Sequence, residues 1–486
     1  MHILIRLSGD VSIKAKNTRK RFVREMIANL RDALESHGVD FRIERTWSRL
    51  TVETDDERAA EICSRVFGVQ SVSPVERRNW NDLGDLVAQA TEFFEPEVRD
   101  RTFAVRARRG GPAVEEIPFN SGDVEVDLGT ALLATARKVD LSQPEVTASV
   151  EIRRSHADLF TEQIDGPGGL PLGVEGRALA LVSGGFDSAV AAWLMLKRGV
   201  ALDYLFFNLG GLAHEVGVLE VMKVIADRWS YGSRPQLFAV DLRPSVEALQ
   251  AAVTPRYWQV VLKRLMMEAG SRVAAEEDHC FLVTGEAVGQ VSSQTLPNLA
   301  VVSHAATTPV LRPLAGFNKE DIVALARRIG TFELSAAVGE YCAILPRHPA
   351  THSDVETIEE EERGLDREPL ARAVESRRTI DLRALDRSRI GAEQLEIDEI
   401  PASATVIDLR SRAAYETWHY PDALFMEYSQ ALRAYPSFRK DTPYVLYCEV
   451  GLKSAHLAEL MQEAGFEAHH VRGGVRQLER WAAAPA

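Results

Sequence analysis

From Ala178 onward the chain repeats one pattern, in which an apolar strand is followed by a tight turn and a helix. When a helix separates each strand from the next, the strands run parallel and the helices cover both faces of the sheet. We therefore predict a doubly wound α/β domain over residues 172–345. The pattern predicts strands near 178–182, 201–208, 236–241 and 281–285, helices near 188–198, 215–229 and 244–276, and a last helix from Asn318 to Gly330.

The chain of 486 residues is long enough for about three domains, so the flanking segments need folds of their own. Strands and helices alternate irregularly before a Gly/Pro cluster at 166–171, which marks a boundary. We predict α+β domains at 1–60 and 61–165, an acidic helical linker at 346–399 and a second, small α/β domain at 400–486. The first 165 residues predict strands near 2–7, 41–54, 102–108 and 146–162, and helices from Asn17 and near 56–66 and 82–94.

The net charge is −14, so no global field attracts nucleic acid. The distribution is uneven, however, because residues 1–50 contain eleven Lys/Arg against six Asp/Glu, and residues 351–400 contain eight against fifteen. This asymmetry indicates a polyanion-binding surface near the start of the chain. The alternative is that these charges only solvate helix faces.

The four cysteines include no C-x-x-C pair, and the twelve histidines show no zinc-binding spacing, so we expect no tightly bound metal. No apolar run is long enough for a membrane span, and no signal peptide is evident. We expect a cytoplasmic protein without a membrane partner, in which a functional cysteine acts as a thiol or transient sulfur carrier. Cys63 and Cys280 are predicted to be core residues.

The turn at 183–188, Ser-Gly-Gly-Phe-Asp-Ser, follows the buried strand and opens a helix. Ligands of parallel sheets bind beyond the carboxyl ends of the strands, and backbone N–H groups at a helix N-terminus bind phosphate. The hydroxyls of Ser183 and Ser188 can donate to phosphate oxygens, whereas Asp187 would bind Mg²⁺ or stabilise the turn. The alternative is a purely structural turn. The sequence lacks P-loop and dinucleotide-binding spacings and resembles the S-G-G-x-D-S loop of ATP-pyrophosphatases.

The turn at 448–454, Cys-Glu-Val-Gly-Leu-Lys-Ser, also follows an apolar strand and opens a helix. Cys448 at such a turn would have its thiolate favoured by backbone N–H groups, although a buried core cysteine at a strand end is an alternative. The turn resembles the C-x-x-G-x-x-S active loop of rhodanese-type sulfurtransferases, as does the Asp-Leu-Arg segment at 408–410.

Taken together, these motifs resemble the family of tRNA 4-thiouridine synthases that also serve thiazole formation, in the long form with a C-terminal rhodanese domain. The resemblance implies an N-terminal ferredoxin-like domain at 1–60, an RNA-binding THUMP domain at 61–165, an ATP-pyrophosphatase domain at 172–345 and a rhodanese-like domain at 400–486. The ATP contacts implied by it or expected from the 183–188 turn are Leu181, Val182, Ser183, Gly184, Gly185, Ser188, Lys263, Gly285 and Gln294.

Two lysines are considered beside these contacts. An exposed helix lysine without a role remains an alternative for Lys263. Lys319 stands at a helix N-terminus, against the helix dipole, which predicts an anionic partner such as the reacting phosphates.

The expected partner of the basic segments is tRNA. Phosphate contacts position RNA without reading its sequence, so selection of one uridine would depend on tRNA shape and an unpaired base. The candidate phosphate contacts are Lys14, Lys16, Arg19, Arg106, Arg108 and Arg109.

The family resemblance implies a mechanism in which ATP adenylates O4 of a uridine, at position eight, and a persulfide on Cys448 supplies sulfur. Asp187 serves the ATP step, with Mg²⁺ bound only transiently with ATP. A cysteine desulfurase would load Cys448, Cys342 would close a disulfide on it, and a thioredoxin-like protein would reduce that disulfide. A sulfur carrier protein of thiazole synthesis is a further possible partner. The rival interpretations are another adenylating ligase or amidotransferase of the same superfamily, and a tRNA-binding sulfur carrier that uses no ATP.

Overall fold

The structure is a computed structural model that describes residues 1–45, 49–111, 114–338, 348–386, 390–391 and 393–483. The chain forms two compact units. The first contains residues 1–175 with two short segments, 197–199 and 231–233, and the second contains the remainder. Within the described residues, no helix is long and apolar enough to cross a membrane.

The first unit is built on one nine-stranded sheet of order β2-β3-β1-β4-β8-β7-β5-β6, with β9 paired to β4. Its strands are β1 (His2–Leu7), β2 (Arg42–Arg45), β3 (Arg49–Glu53), β4 (Val69–Asn79), β5 (Thr102–Arg109), β6 (Lys138–Val139), β7 (Val146–Ile152), β8 (His156–Phe160) and β9 (Ile164–Asp165). Its helices are α1 (Gly9–Ser12), α2 (Lys16–Ser36), α3 (Ala59–Cys63), α4 (Leu83–Val98) and α5 (Ser121–Leu132).

The predicted boundary at residue 60 does not coincide with a structural one. The α3 helix packs in the same core as α2, and β4 pairs with β1 through its first half and with β8 through its second. The sheet is therefore continuous through β4. β4 and α5 were not predicted from the sequence. The valines of β4 recur every three positions and not every two, and the alternating apolar residues Val124, Val126 and Leu128 of α5 imitate a strand.

The second unit contains a six-stranded sheet of order β14-β13-β10-β11-β12-β15. The first five of these strands pair in parallel, which confirms the predicted doubly wound sheet. The strands are β10 (Arg177–Val182), β11 (Ala201–Asn208), β12 (Gln236–Asp241), β13 (Leu282–Val283), β14 (Val310–Leu311) and β15 (Arg378–Asp381). The helices are α6 (Phe186–Lys197), α7 (Gly211–Trp229), α8 (Arg243–Ala252), α9 (Trp258–Glu276), α10 (Leu296–His304), α11 (Lys319–Ile329), α12 (Phe332–Ala337), α13 (Val355–Glu361) and α14 (Glu368–Glu375).

Two predictions for this domain were wrong. The single helix expected at 244–276 is divided into α8 and α9, because Pro255 cannot continue a helix and disfavours helical geometry at the residue before it. The acidic segment at 346–399 does not serve only as a linker. Its α13 and α14 bury Ile358 and Leu370 in the core of this domain, and β15 adds an antiparallel edge strand to β12.

The last part of the chain forms a smaller sheet of order β16-β20-β19-β17-β18, whose described strands all pair in parallel. Its strands are β16 (Glu396–Ile397), β17 (Thr405–Asp408), β18 (Leu424–Phe425), β19 (Tyr444–Tyr447) and β20 (Ala468–Val471). Its helices are α15 (Arg412–Thr417), α16 (Tyr428–Ala434), α17 (Leu452–Glu463) and α18 (Val475–Ala483). This is the predicted second, small α/β domain.

Candidate functional site

The 183–188 loop joins β10 to α6, as the sequence predicted. Gly184 has a φ of +76°, which a residue with a side chain rarely adopts. The hydroxyl of Ser188 donates to the carbonyl of Gly185 at 3.1 Å and accepts from the N–H of Ser183 at 3.3 Å. Ser188 is buried and holds the turn, whereas Ser183 is exposed. Of the two serines, Ser183 is the one in a position to reach a ligand.

Gly285 packs against the backbone of this loop. A Cβ at position 285 would lie 2.6 Å from the carbonyl carbon of Asp187 and 2.7 Å from the nitrogen of Ser188. No side chain fits at such a distance, so glycine is required for the end of β13 to approach the loop. The structure therefore explains Gly285 by protein packing, whereas the family resemblance implied that it contacts ATP.

Asp187 holds two polar side chains from distant segments. Its Oδ1 lies 2.9 Å from Nζ of Lys319, and its Oδ2 accepts a hydrogen bond from Nε2 of Gln290 at 2.8 Å. Lys319 is the first residue of α11, and its ammonium also lies 5.5 Å from the ring centroid of Phe186. The predicted anionic partner of Lys319 is therefore Asp187 in this structure. Gln290 was not predicted as a site residue.

Lys263 belongs to a second ionic cluster, centred on the buried Glu286. The two carboxylate oxygens of Glu286 lie 2.8 Å from Nζ of Lys263 and 2.8 Å from Nε of Arg312, and one accepts from the hydroxyl of Thr284. Burial alone would raise the pKa of Glu286, but the charges of Lys263 and Arg312 lower it below its ordinary value. Lys263 is half-buried and paired, so the exposed, unoccupied lysine of the alternative interpretation is not observed.

The remaining predicted ATP contacts lie on the strand before the loop and on the segment after Gly285. Val182 is buried and Leu181 is half-buried in β10. Oε1 of Gln294 accepts from the N–H of Ala287 at 3.3 Å, so this side chain stabilises the turn over residues 287–294. The structure thus brings together Gly184, Gly185, Ser188, Gly285 and Lys319 around Asp187.

The loop does not form a protein-built magnesium site. The described residues contain no group of three His, Cys, Asp or Glu side chains able to hold a metal ion. Asp187 is the carboxylate of the loop, and both of its oxygens already have partners. The donor set does not match Mg²⁺, which prefers oxygen ligands in octahedral geometry.

Cys448 follows β19 and lines a cavity of about 400 Å³. The cysteine is only 3% exposed, and the hydroxyl of Ser454 donates to its sulfur at 3.6 Å. The same cavity is lined by Arg410, Tyr428 and Lys453 of the small domain. Cys448 is therefore a buried thiol that packs in the core of the small domain and also lines a cavity, so it is not enclosed by core side chains on every side.

The cavity wall also includes residues of the larger domain, namely Glu333, Ala336 and Ala337 of α12. Cys342 follows Ala337 by five residues in the chain, but it lies outside the described residues. The predicted pairing of Cys342 with Cys448 therefore stays a prediction.

Of the other cysteines, Cys63 is fully buried, and burial raises its pKa to about 12, as expected of a core thiol. Cys280 was predicted as a core residue but is exposed. It lies in the connection between α9 and β13, ahead of the first buried strand residue Leu282.

The predicted basic surface of β5 is divided between two faces. Arg106 and Arg108 are exposed and line a cavity of about 520 Å³ that also includes Arg6. Arg109 points to the other face, as the two-residue period of a strand requires, and donates to the carbonyl oxygens of Phe119 (2.6 Å) and Ile117 (3.2 Å). Arg109 therefore supports the loop before α5 and is not part of the cavity.

A second basic cleft, of about 590 Å³, lies on α2. Its cationic lining residues, none of which was predicted as a phosphate contact, are Lys20, Arg21, Arg24, Arg31 and Arg45. The predicted residues Lys16 and Arg19 lie on the first turns of the same helix, and Lys14 just precedes it with its ammonium 5.7 Å from the ring of Phe22. The basic excess of residues 1–50 is thus concentrated in the cleft on α2, whereas the cavity at β5 combines its arginines with Glu125 and Glu151.

Comparison with family models confirms the predicted fold classes. A model described as "Thiamine biosynthesis protein (ThiI)" matches residues 173–366. The ThiI ferredoxin-like domain matches 2–73, the THUMP domain 81–162 and the rhodanese-like domain 392–480.

Relatives named tRNA sulfurtransferase match almost the whole chain. The protein of Pyrobaculum aerophilum is 36% identical over 475 residues, which covers 97% of this chain and 97% of the relative. The protein of Serratia proteamaculans is 33% identical over 479 residues, which covers 96% of this chain and 98% of the relative.

Two solved structures share the fold. A 4-thiouridine synthetase in complex with RNA and bound ATP has a TM-score of 0.67 and 28% identity, and the match covers 78% of this chain and 98% of that one. PH1313 from Pyrococcus horikoshii has a TM-score of 0.54 and 24% identity over 68% of this chain and 100% of that one.

Proposed function

Because the chain belongs to the tRNA sulfurtransferase (ThiI) family, we propose that it is an enzyme that converts a uridine of tRNA to 4-thiouridine in two half-reactions. The first uses ATP at the 183–188 loop, and the second uses sulfur carried by Cys448. The observation that carries this proposal is the presence in one compact unit of a phosphate-type loop, with Asp187 and Lys319 at its edge, and of a cysteine that lines a cavity.

In the first half-reaction, O4 of the uridine attacks the α-phosphorus of ATP, and pyrophosphate leaves. Backbone N–H groups of the loop and the hydroxyl of Ser183 bind phosphate oxygens. Lys319 supplies positive charge to the departing pyrophosphate, and Asp187 orients the Lys319 ammonium for that task. Magnesium that accompanies ATP would be bound by phosphate oxygens, because Asp187 is already paired.

In the second half-reaction, the terminal sulfur of a persulfide on Cys448 attacks C4, and AMP leaves. The product is a mixed disulfide between the base and Cys448. The thiolate of Cys342 then attacks Sγ of Cys448, which forms a Cys342–Cys448 disulfide and releases 4-thiouridine. In the alternative order, Cys342 first releases sulfide from the persulfide, and the sulfide attacks C4. Both orders consume the same two thiols and require two electrons from a reductant.

This cycle requires protein partners. A cysteine desulfurase loads the persulfide, and a thioredoxin-like protein reduces the disulfide. The tRNA binds to the basic surfaces of the first unit, and its reacting base is uridine eight. The cavity at Cys448 has room for the incoming sulfur. Because Cys448 is buried, a persulfide on it is protected from oxidants in the solvent.

A second candidate function rests on the family model described as a thiamine biosynthesis protein. The persulfide of Cys448 would then also supply a sulfur carrier protein that serves thiazole synthesis. This transfer needs Cys448 but not the 183–188 loop. A Ser183→Ala, Asp187→Ala variant that still passes sulfur to the carrier, with no ATP consumed, would support it, and a strict ATP requirement would contradict it.

The proposed function is tested by ATP–pyrophosphate exchange in the presence of unmodified tRNA. Exchange that depends on tRNA is expected. AMP must first be transferred to the uridine, and ATP forms again only when pyrophosphate attacks this adenylated uridine. A sulfur carrier without ATP chemistry would show no exchange. An amidotransferase or other ligase would show exchange with a different acceptor and would leave the tRNA free of thiolated bases.

A further inference from the structure

The helix that follows the Cys448 loop is anchored on the larger domain by one carboxylate. Glu459 of α17 accepts hydrogen bonds from the backbone N–H groups of Leu212 (2.7 Å) and Ala213 (3.0 Å) at the start of α7. The N-cap residue, Gly210, offers no side-chain cap, so Glu459 satisfies two donors that the helix itself leaves open. A side chain at Gly211 would collide with this carboxylate.

Beside this contact, α7 and α17 pack through small apolar residues and two histidines. Ala455, one turn before Glu459, packs with Ala213 and Leu395 in a buried cluster. His456 of α17 and His214 of α7 interact, and burial lowers their pKa values to about 4 and about 3, so both rings are neutral at neutral pH. The two alanines allow α7 and α17 to approach closely, and Glu459 forms hydrogen bonds of defined direction between the two helices.

The contact is made by the helix that follows the Cys448 loop. The α17 helix begins at Leu452, directly after the Cys448 loop, so the orientation of α17 on α7 sets the orientation of the loop. In this orientation the Cys448 cavity faces Glu333, Ala336 and Ala337 of α12. If α17 moved away from α7, the cavity would lose that wall.

We propose that Glu459 is a positioning residue that docks the sulfur-carrying domain on α7 for sulfur delivery. The proposal rests on the function proposed above, because it assigns Glu459 to the second half-reaction only. Glu459 does not touch the reacting atoms.

The docking must be reversible, because a donor protein has to reach Cys448 before each turnover. Burial raises the pKa of Glu459, and repulsion by Glu463 adds to this effect, while the two N–H groups and Arg243 act in the opposite direction. Since the net shift is upward, the ionised carboxylate is disfavoured in the docked state relative to water.

The test compares Glu459→Ala and Glu459→Gln with Glu463→Ala, which removes an exposed carboxylate from the last turn of the same helix. Hydrogen–deuterium exchange of a peptide covering residues 209–216 should become faster in Glu459→Ala. It should not become faster in Glu463→Ala, and it should be intermediate in Glu459→Gln, because the amide keeps one acceptor oxygen and turns its NH2 group toward the other N–H group. Unchanged exchange in Glu459→Ala would overturn the proposal.

The functional readout is a single turnover of protein whose Cys448 already carries a persulfide. Sulfur transfer should slow about 10- to 100-fold in Glu459→Ala, as expected for a misplaced reacting group, while Glu463→Ala retains it and Glu459→Gln, which keeps one acceptor oxygen, loses less than Glu459→Ala. ATP–pyrophosphate exchange, the KM for tRNA and persulfide loading should stay unchanged, which also shows that the variant folds. Wild-type transfer in Glu459→Ala would overturn the proposal, and so would equal loss of exchange and transfer. Failure of the wild type to thiolate would instead contradict the proposed function.

Discussion

Nζ of Lys319 lies 2.9 Å from Oδ1 of Asp187, although the two residues are 132 positions apart in the chain. The pair holds the Lys319 ammonium beside the 183–188 loop, and the Asp187 carboxylate orients that ammonium. A cation held at this point can stabilise charge that develops on phosphate oxygens in the transition state. Removal of the carboxylate should therefore impair the ATP step.

Asp187→Ala should reduce tRNA-dependent ATP–pyrophosphate exchange by about 100-fold or more, because Lys319 and Gln290 lose the group that orients them. Persulfide loading on Cys448 should be unaffected, since the small domain has its own core. The matched control is Glu320→Ala, an exposed carboxylate on the next residue of α11. Exchange at the wild-type rate in Asp187→Ala would contradict the assignment of this loop to the ATP step.

Gly285→Ala should displace the 183–188 loop, because its Cβ would lie 2.6 Å from the carbonyl carbon of Asp187. We expect weaker ATP binding by isothermal titration calorimetry and a lower thermal transition temperature. Gly316→Ala is the control, since its Cβ would have no atom within 4 Å. If both variants bind ATP as the wild type does, the loop does not need the close approach of β13.

Glu286→Gln should destabilise the protein at pH 7 by about 3 kcal/mol, because Lys263 and Arg312 lose their buried counter-charge. The pKa of Glu286 is lowered in the folded state, so its stabilising contribution is present above the unfolded pKa and is lost as the pH falls through the folded one. The difference between wild type and variant, from urea titrations, should therefore shrink below about pH 4.3. A difference that grows on acidification would contradict this assignment.

The double variant Arg106→Ala, Arg108→Ala should weaken tRNA binding and flatten its salt dependence by about one unit of slope for each phosphate that the protein no longer neutralises. Arg109→Ala serves as the contrast, because its guanidinium binds the carbonyls of Phe119 and Ile117. It should lower stability and leave the slope unchanged. If Arg109 alone changed the slope, the assignment of the two faces of β5 would be wrong.

Turnover without reductant should accumulate a Cys342–Cys448 disulfide, which peptide mapping detects. A disulfide requires the two Cα atoms to come within about 7 Å. Cys448→Ala should lose both persulfide and product, whereas Cys342→Ala should load sulfur and stop before multiple turnover. Full multiple-turnover activity of Cys342→Ala would contradict a catalytic role for Cys342.

The sequence predicted the parts of the site that local signals encode. Glycines and hydroxyls between an apolar strand and a helix indicate a phosphate loop wherever they occur in this order, and the same logic located Cys448 after β19. Family motifs then placed the four domain types along the chain, and the comparisons confirm those types.

The parts that were missed depend on contacts between distant segments. Nothing near Gln290 or Arg312 shows that their partners are Asp187 and Glu286, because those pairings exist only after the sheet has formed. The sequence of the acidic segment at 346–399 indicates a linker, because its charged residues mask the few apolar positions that α13 and α14 bury. Arg109 was grouped with Arg106 by sequence proximity, although strand alternation separates them.

The most direct test of the central claim is a reconstitution with purified wild-type protein, unmodified tRNA, ATP, a cysteine desulfurase with cysteine, and a thiol reductant. Nucleoside mass spectrometry and nucleotide analysis are performed on the same samples. The account predicts one 4-thiouridine, one AMP and one pyrophosphate per tRNA, with no product when ATP is omitted or when Cys448→Ala replaces the wild type. Thiolation without ATP, or formation of AMP and pyrophosphate without any thiolated base, would contradict it.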